Sequence, residues 1–85
     1  MLNEMSMKII SFGIAKEITG ELFTEFETGP YPVNVSAFKA MLVAKYPALE
    51  KLASLSVAVN SEYASDNTVI NNGDEVALIP PVSGG

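Results

Sequence analysis

The sequence predicts an α+β fold in which one main helix packs across a mixed sheet of four or five strands. Three observations lead there. The run Met7-Lys8-Ile9-Ile10-Ser11-Phe12 is rich in β-branched and aromatic residues and reads as a first strand. Val35, Phe38, Leu42 and Tyr46 follow one another at spacings of three, four and four, which is one stripe of an amphipathic helix. Glu75-Val76-Ala77-Leu78-Ile79 is mostly apolar, as a strand is when it lies centrally or is covered on both faces. One helix stripe and one sheet face bury each other most economically in a two-layer arrangement.

The elements follow in order. Residues 7–13 form the first strand, and Gly20 closes the turn after Ile14-Ala15-Lys16-Glu17-Ile18-Thr19. Glu21-Leu22-Phe23-Thr24-Glu25-Phe26-Glu27 partly alternates apolar and acidic residues, the period of a half-buried strand with its acidic side outward. Two strands with so short a connection suggest a hairpin. Gly29-Pro30-Tyr31-Pro32 is a loop. Asn34 is placed to cap the helix, with Val33 and Phe38 at the positions of a hydrophobic staple. Pro47 ends the helix, because the residue before a proline is pushed out of the α region. Ala37, Ala40, Met41 and Val43 leave the rest of this helix weakly polar. Either the N-terminal extension or a neighbouring chain covers part of it, or small residues simply favour helix. Residues 48–55 suggest one or two helical turns, Ser56-Val57-Ala58-Val59 a buried strand, and Tyr63-Ala64 a brief return after the turn at Asn60-Ser61-Glu62. Val69-Ile70 precede Asn71-Asn72-Gly73-Asp74, a strong turn signal because Asn and Gly tolerate positive φ.

Composition narrows function before any motif does. The chain has 85 residues, with five Lys and Arg against ten Asp and Glu, and a formal charge of −5. That balance argues against nucleic acid, whose phosphates would be repelled. The chain holds no His and no Cys, which excludes a Ser-His-Asp triad, a thiol nucleophile and an ordinary zinc site. No resident metal or cofactor is expected. No apolar run approaches the ~20 residues of a membrane span, and the first residues lack a basic and apolar leader pattern. A cytoplasmic protein away from membranes is therefore expected. Met1, Met5 and Met7 offer three starts, so residues 1–6 are read as a loose extension, 7–79 as the domain and 80–85 as a tail.

The tail is Pro80-Pro81-Val82-Ser83-Gly84-Gly85. Two prolines stop the strand at Ile79, since they donate no hydrogen bonds and fix φ near −65°. Ser83-Gly84-Gly85 then has almost no side chain. Such a thread suits delivery of a carboxyl terminus into a channel one backbone wide; an ordinary unstructured chain end has the same composition.

Resemblance adds to this reading. Phe12-Gly13-Ile14-Ala15-Lys16-Glu17-Ile18-Thr19-Gly20, Val57-Ala58-Val59-Asn60, Gly73-Asp74-Glu75-Val76 and Pro80-Pro81-Val82-Ser83-Gly84-Gly85 together resemble the MoaD/ThiS family of ubiquitin-like sulfur carriers, and within it the small subunit of molybdopterin synthase. Lys16 stands where that family usually has Arg, which keeps the charge but loses bidentate geometry. The resemblance implies the ubiquitin-like β-grasp fold, with first and last strands parallel neighbours in the sheet centre. It implies that Gly85 is adenylated by a ubiquitin-activating-like (MoeB-like) adenylyltransferase using ATP, then converted to a thiocarboxylate with the help of a sulfurtransferase. It implies that the tail next enters the large (MoaE-like) synthase subunit, where sulfur passes to cyclic pyranopterin monophosphate. Catalytic side chains would belong to those partners.

The resemblance also points to an apolar docking patch at the root of the tail, at Phe12, Tyr63 and Ile79, with Lys16 at its rim. Phe12 and Ile79 have a core alternative, since large apolar residues in strands are usually inside. Tyr63 beside a polar turn is expected to be exposed. Glu62, Asp74 and Glu75 either steer a basic partner or serve as a solvated face. Three other functions share much of this pattern: sulfur carriage for thiazole or cysteine synthesis, ubiquitin-like modification of lysines through Gly85, and a plain interaction module with an incidental tail.

Overall fold

The computed structural model describes residues 6–51 and 55–80. Strand β1 (Ser6–Ser11) begins one residue before the expected start. It leads through Phe12 into helix α1 (Gly13–Thr19) and then strand β2 (Phe23–Glu27). A loop leads to β3 (Val33–Asn34), the main helix α2 (Val35–Lys45) and a 3-10 turn (Pro47–Lys51). Then come β4 (Ser56–Val59), β5 (Glu62–Tyr63), β6 (Val69–Ile70) and β7 (Val76–Ile79).

Five strands form one sheet in the order β2-β1-β7-β4-β5. Strand β7 runs parallel to β1, with Ile9 opposite Val76 and Ser11 opposite Leu78, and antiparallel to β4. Its burial alternates, and its place between two neighbours explains its apolar character. A separate two-stranded ladder pairs β3 with β6, Val33 opposite Ile70, and ties the entrance of α2 to the later chain.

Helix α2 forms as its sequence predicts. The Ala37 amide donates to Asn34 Oδ1 at 2.7 Å, satisfying an amide of the first turn. Val35, Phe38 and Leu42 are buried, and Tyr46, half-buried, packs against the same core. The helix ends at Lys45, immediately before Tyr46 and Pro47. Ala37 and Ala40 are exposed among the described residues, and the N-terminal extension that could cover them lies mostly outside those residues. The stripe packs against Met7, Ile9, Phe26, Val57, Val76 and Leu78 from the inner sheet face. Phe26 and Phe38 meet edge to face, their centroids 5.9 Å apart.

Helix α1 corrects the expectation of a short connection. β1 and β2 do pair antiparallel, from Ser6 opposite Glu27 to Ile10 opposite Phe23, but a seven-residue helix joins them. Ala15 is fully buried and Ile18 packs on the core, so one side of the segment is anchored. The Phe12 carbonyl accepts from the Ala15 amide at 3.0 Å, and Gly20, at φ 91°, donates to the Lys16 carbonyl at 2.7 Å. Gly20 thus ends a helix rather than a simple turn.

The last strand begins at Val76 rather than Glu75, and Asn60 accounts for the difference. The Asn60 amide donates to the Glu75 carbonyl at 2.7 Å, while the Glu75 amide donates to Asn60 Oδ1 at 2.9 Å. A side chain therefore takes over one hydrogen bond of the ladder where β4 ends. The expected turn at Asn71–Asp74 is held by the Asp74 amide donating to the Asn71 carbonyl at 3.0 Å and by the Asn71 amide donating to Asp74 Oδ2 at 2.8 Å. None of the described helices is long and apolar enough to cross a membrane.

Candidate functional site on the open sheet face

One face of the sheet is covered by α2, so alternation sends every second side chain to the other, open face. In register order that face carries Phe23 and Glu25 from β2, Lys8 and Ile10 from β1, Ala77 and Ile79 from β7, Ala58 from β4 and Tyr63 from β5. The centre of this face is apolar. Acidic residues gather at its margins.

A shallow depression of about 280 Å³ lies there, bounded by Ile10, Phe12, Ala58, Tyr63, Ala77 and Ile79, with Ser61 and Glu75 at its rim. Phe12 is 47% exposed and Tyr63 75%; Ile79 is half-buried. The core alternative for Phe12 is thus overturned: Ser11, one residue earlier, takes the inward position, and Phe12 follows on the outward side. The structure brings Phe12, Tyr63 and Ile79 to one concave surface.

Tyr63 reaches this surface through a tight hairpin. Val59 pairs with Glu62 and Ala58 with Tyr63, leaving Asn60 and Ser61 as a two-residue loop. Both have positive φ, 53° and 71°. Two successive left-handed residues match the twist of a short hairpin, and this one seats Tyr63 over the outward side of Ala58.

Lys16 lies apart from the depression. It is exposed on α1, with its amide donating to the Phe12 carbonyl at 3.4 Å. Pro80, half-buried, continues directly from Ile79. Pro81, Val82, Ser83, Gly84 and Gly85 fall outside the described residues. Glu62 and Glu75 are exposed, and Asp74 is half-buried.

Two residues escaped the sequence reading. Ile10 lies in the middle of the open face, and Phe23, 54% exposed, stands at its far end. They line a second depression with Lys8, Gly73, Asp74 and Glu75, which shares Ile10 and Glu75 with the first. The signal for Phe23 was present in the alternation of β2, where Glu25 and Glu27, on either side of the inward Phe26, mark the outward side that Phe23 shares. No cluster of three or more acidic side chains that could hold a metal ion occurs among the described residues.

A sheet wrapped round one main helix, with an apolar open face beside a strand that runs into Pro-Pro and Gly-Gly, defines the class of ubiquitin-like β-grasp proteins. The ThiS family model matches residues 9–85, and the chain belongs to the ThiS family. It is 36% identical over 86 residues to the molybdopterin synthase sulfur carrier subunit of Arabidopsis thaliana, an overlap of 98% of this chain and 86% of that protein. SAMP1 from Haloferax volcanii has the same fold, with a TM-score of 0.77, 30% identity, and coverage of 94% of this chain and 99% of that one. A chain in the complex of subunits 1 and 2 of molybdopterin-converting factor from Helicobacter pylori matches with a TM-score of 0.65 and 27% identity, covering 95% of this chain and all of that one. The resemblance read from the motifs and the β-grasp arrangement both stand.

Proposed function

We propose that this chain carries sulfur for the synthesis of molybdopterin, with the Gly85 carboxylate as its point of attachment. The observation that carries the reading is the family match, which runs through the Gly-Gly end to Gly85. The placement of Phe12, Tyr63 and Ile79 around one depression beside Pro80 supports a partner docking where the tail begins.

The chemistry follows from the carboxylate. Ionised at neutral pH, it is a poor electrophile. An adenylyltransferase joins it to the α-phosphate of ATP and releases pyrophosphate. In the resulting mixed anhydride AMP is a good leaving group. A sulfur donor attacks the Gly85 carbonyl carbon, the C–O bond to AMP breaks, and a thiocarboxylate remains. The large subunit then accepts the tail, the thiocarboxylate sulfur attacks a carbon of the pterin precursor, and water cleaves the acyl C–S bond, which leaves the sulfur on the precursor and restores the Gly85 carboxylate. This chain supplies the reactant and the docking surface, and ATP is bound by its activating partner. Lys16, exposed on α1 away from the depression, offers the partner a separate polar contact, and Pro81, Val82, Ser83 and Gly84 thread the channel.

Intact mass spectrometry tests the reading. After incubation with the activating enzyme, ATP and a sulfur source, the mass rises by the difference between sulfur and oxygen. Gly85→Ala and a one-residue extension both lose turnover of the precursor; retained sulfur transfer by either would sink the mechanism. A second reading, attachment to lysines as a protein modifier, draws on the likeness to SAMP1, a small archaeal modifier protein. It predicts discrete conjugate ladders on denaturing gels of cell extract, where the carrier reading predicts only the free chain.

A further inference from the structure

The corner where β7 hands over to the tail is packed on a single glycine. Gly13 has φ +54°, and a Cβ built there would lie 3.1 Å from the Cγ of Pro80. A Cβ at Gly20, Gly29 or Gly73 would meet nothing within 4 Å. Those three glycines answer to backbone conformation alone. Gly13 answers to conformation and to the proline ring as well.

Pro80 needs such a seat. It has no N–H, so no ladder hydrogen bond from its own nitrogen can hold it to β1. The last backbone tie before it on this side is the Phe12 amide donating to the Leu78 carbonyl at 3.3 Å. Ile79 still pairs with Ser56 of β4 on the far side, but on the β1 side ring packing takes over from there, and the half-buried ring lies against the bare Cα of Gly13. A side chain there would press on the ring or push α1 away from β7.

We propose that Gly13 is a positioning residue for the tail: by lacking a side chain it seats the Pro80 ring and fixes where the chain leaves the sheet toward Gly85, beside Phe12 and Ile79. Its functional consequence rests on the sulfur-carrier reading; its structural part does not.

The test uses the full chain with Gly13→Ala, Gly13→Asn and Gly13→Val, each alone and combined with Pro80→Ala. Asn adopts the left-handed region at low cost but still carries a Cβ, so it separates steric pressure from backbone strain. The structural arm is nuclear magnetic resonance. The wild type gives a cross-peak between the Gly13 α-protons and the Pro80 ring, and the variants shift the resonances of Ile79 and Pro80 while leaving Val57 and Val59 in place. The functional arm is pyrophosphate release by the activating enzyme at varied carrier concentration. Gly13→Asn and Gly13→Val raise KM by about threefold to tenfold, and in the Pro80→Ala background the same substitutions add less than half of that, the non-additivity expected of residues in contact. Gly13→Ala, the smallest change, gives the smallest rise and serves as the readout if the valine variant does not fold. A missing cross-peak, or effects that simply add to those of Pro80→Ala, overturns the proposal. If the wild type is never adenylated, the sulfur-carrier reading falls while the resonance arm still judges the seat.

Discussion

Ser61 adopts φ 71° in the hairpin that carries Tyr63, a conformation that suits glycine or asparagine better than serine. Its neighbour Asn60 sits in the same region at little cost and has a reason to be there, since its side chain accepts from the Glu75 amide at 2.9 Å. Among the described residues the Ser61 side chain has no hydrogen bond to offset its strain. Ser61→Gly should therefore stabilise the domain by about 0.5–1 kcal/mol, the relief of a left-handed side chain less the entropy glycine adds to the unfolded chain. The thermal midpoint then rises by a few degrees. A lower midpoint would mean that serine is at ease in this turn. This strain was not legible in Asn60-Ser61 as a dipeptide. The turn was expected, but its type depends on Val59 lying opposite Glu62, which is a property of the pairing.

Among the elements, α2 carries the fold and was the most legible. Its cap, its buried stripe and its proline stop all stand where residue spacing puts them, because each depends on neighbours within a few positions along the chain. Phe38 is fully buried at the centre of that stripe, edge-on to Phe26. Phe38→Ala should cost about 3–5 kcal/mol, a large part of the ~5–15 kcal/mol that holds a typical domain together. Urea unfolding should show the midpoint fall sharply or the cooperative transition vanish; a loss below about 1 kcal/mol would show that the core collapses around the missing ring. Helix α1 was not legible. Seven residues give barely two turns, too few for a periodic stripe, and isolated helices this short are unstable in water. It exists because Ala15 and Ile18 find the core and because Phe12 and Gly20 close its ends.

At the scale of the whole molecule, the open sheet face divides residues that stabilise the domain from residues left for a partner. Tyr63 is 75% exposed on an edge strand, yet it flanks the same depression as Phe12 and Ile79. Tyr63→Ser should therefore leave thermal stability within about 0.5 kcal/mol of the original. It should weaken binding to the large synthase subunit by about 2 kcal/mol, the loss of a buried aromatic anchor. Calorimetric titration of the two subunits measures the second quantity and thermal unfolding the first. Unchanged affinity would move the docking surface elsewhere, with Ile10 in the middle of the open face and Phe23 at its far end as the next residues to change.

The sequence by itself determined the five strands of the main sheet but not the small β3–β6 ladder, where α2 begins and ends, and that the chain holds neither His nor Cys for catalysis of its own. Its motifs were enough to place it among sulfur carriers, because a Gly-Asp-Glu-Val turn and a Pro-Pro-Val-Ser-Gly-Gly end are local patterns. Tertiary structure decided the rest: that Phe12 faces outward beside an inward Ser11, that Phe23 and Ile10 extend the apolar face, that α1 is a helix, and that Gly13 lies under Pro80. The physical reason is one of range. Propensity, capping and turn chemistry act between neighbours in sequence and can be read there. Which apolar side chain is covered depends on which face another element reaches, and that is set by pairings such as β1 with β7, between segments more than sixty residues apart.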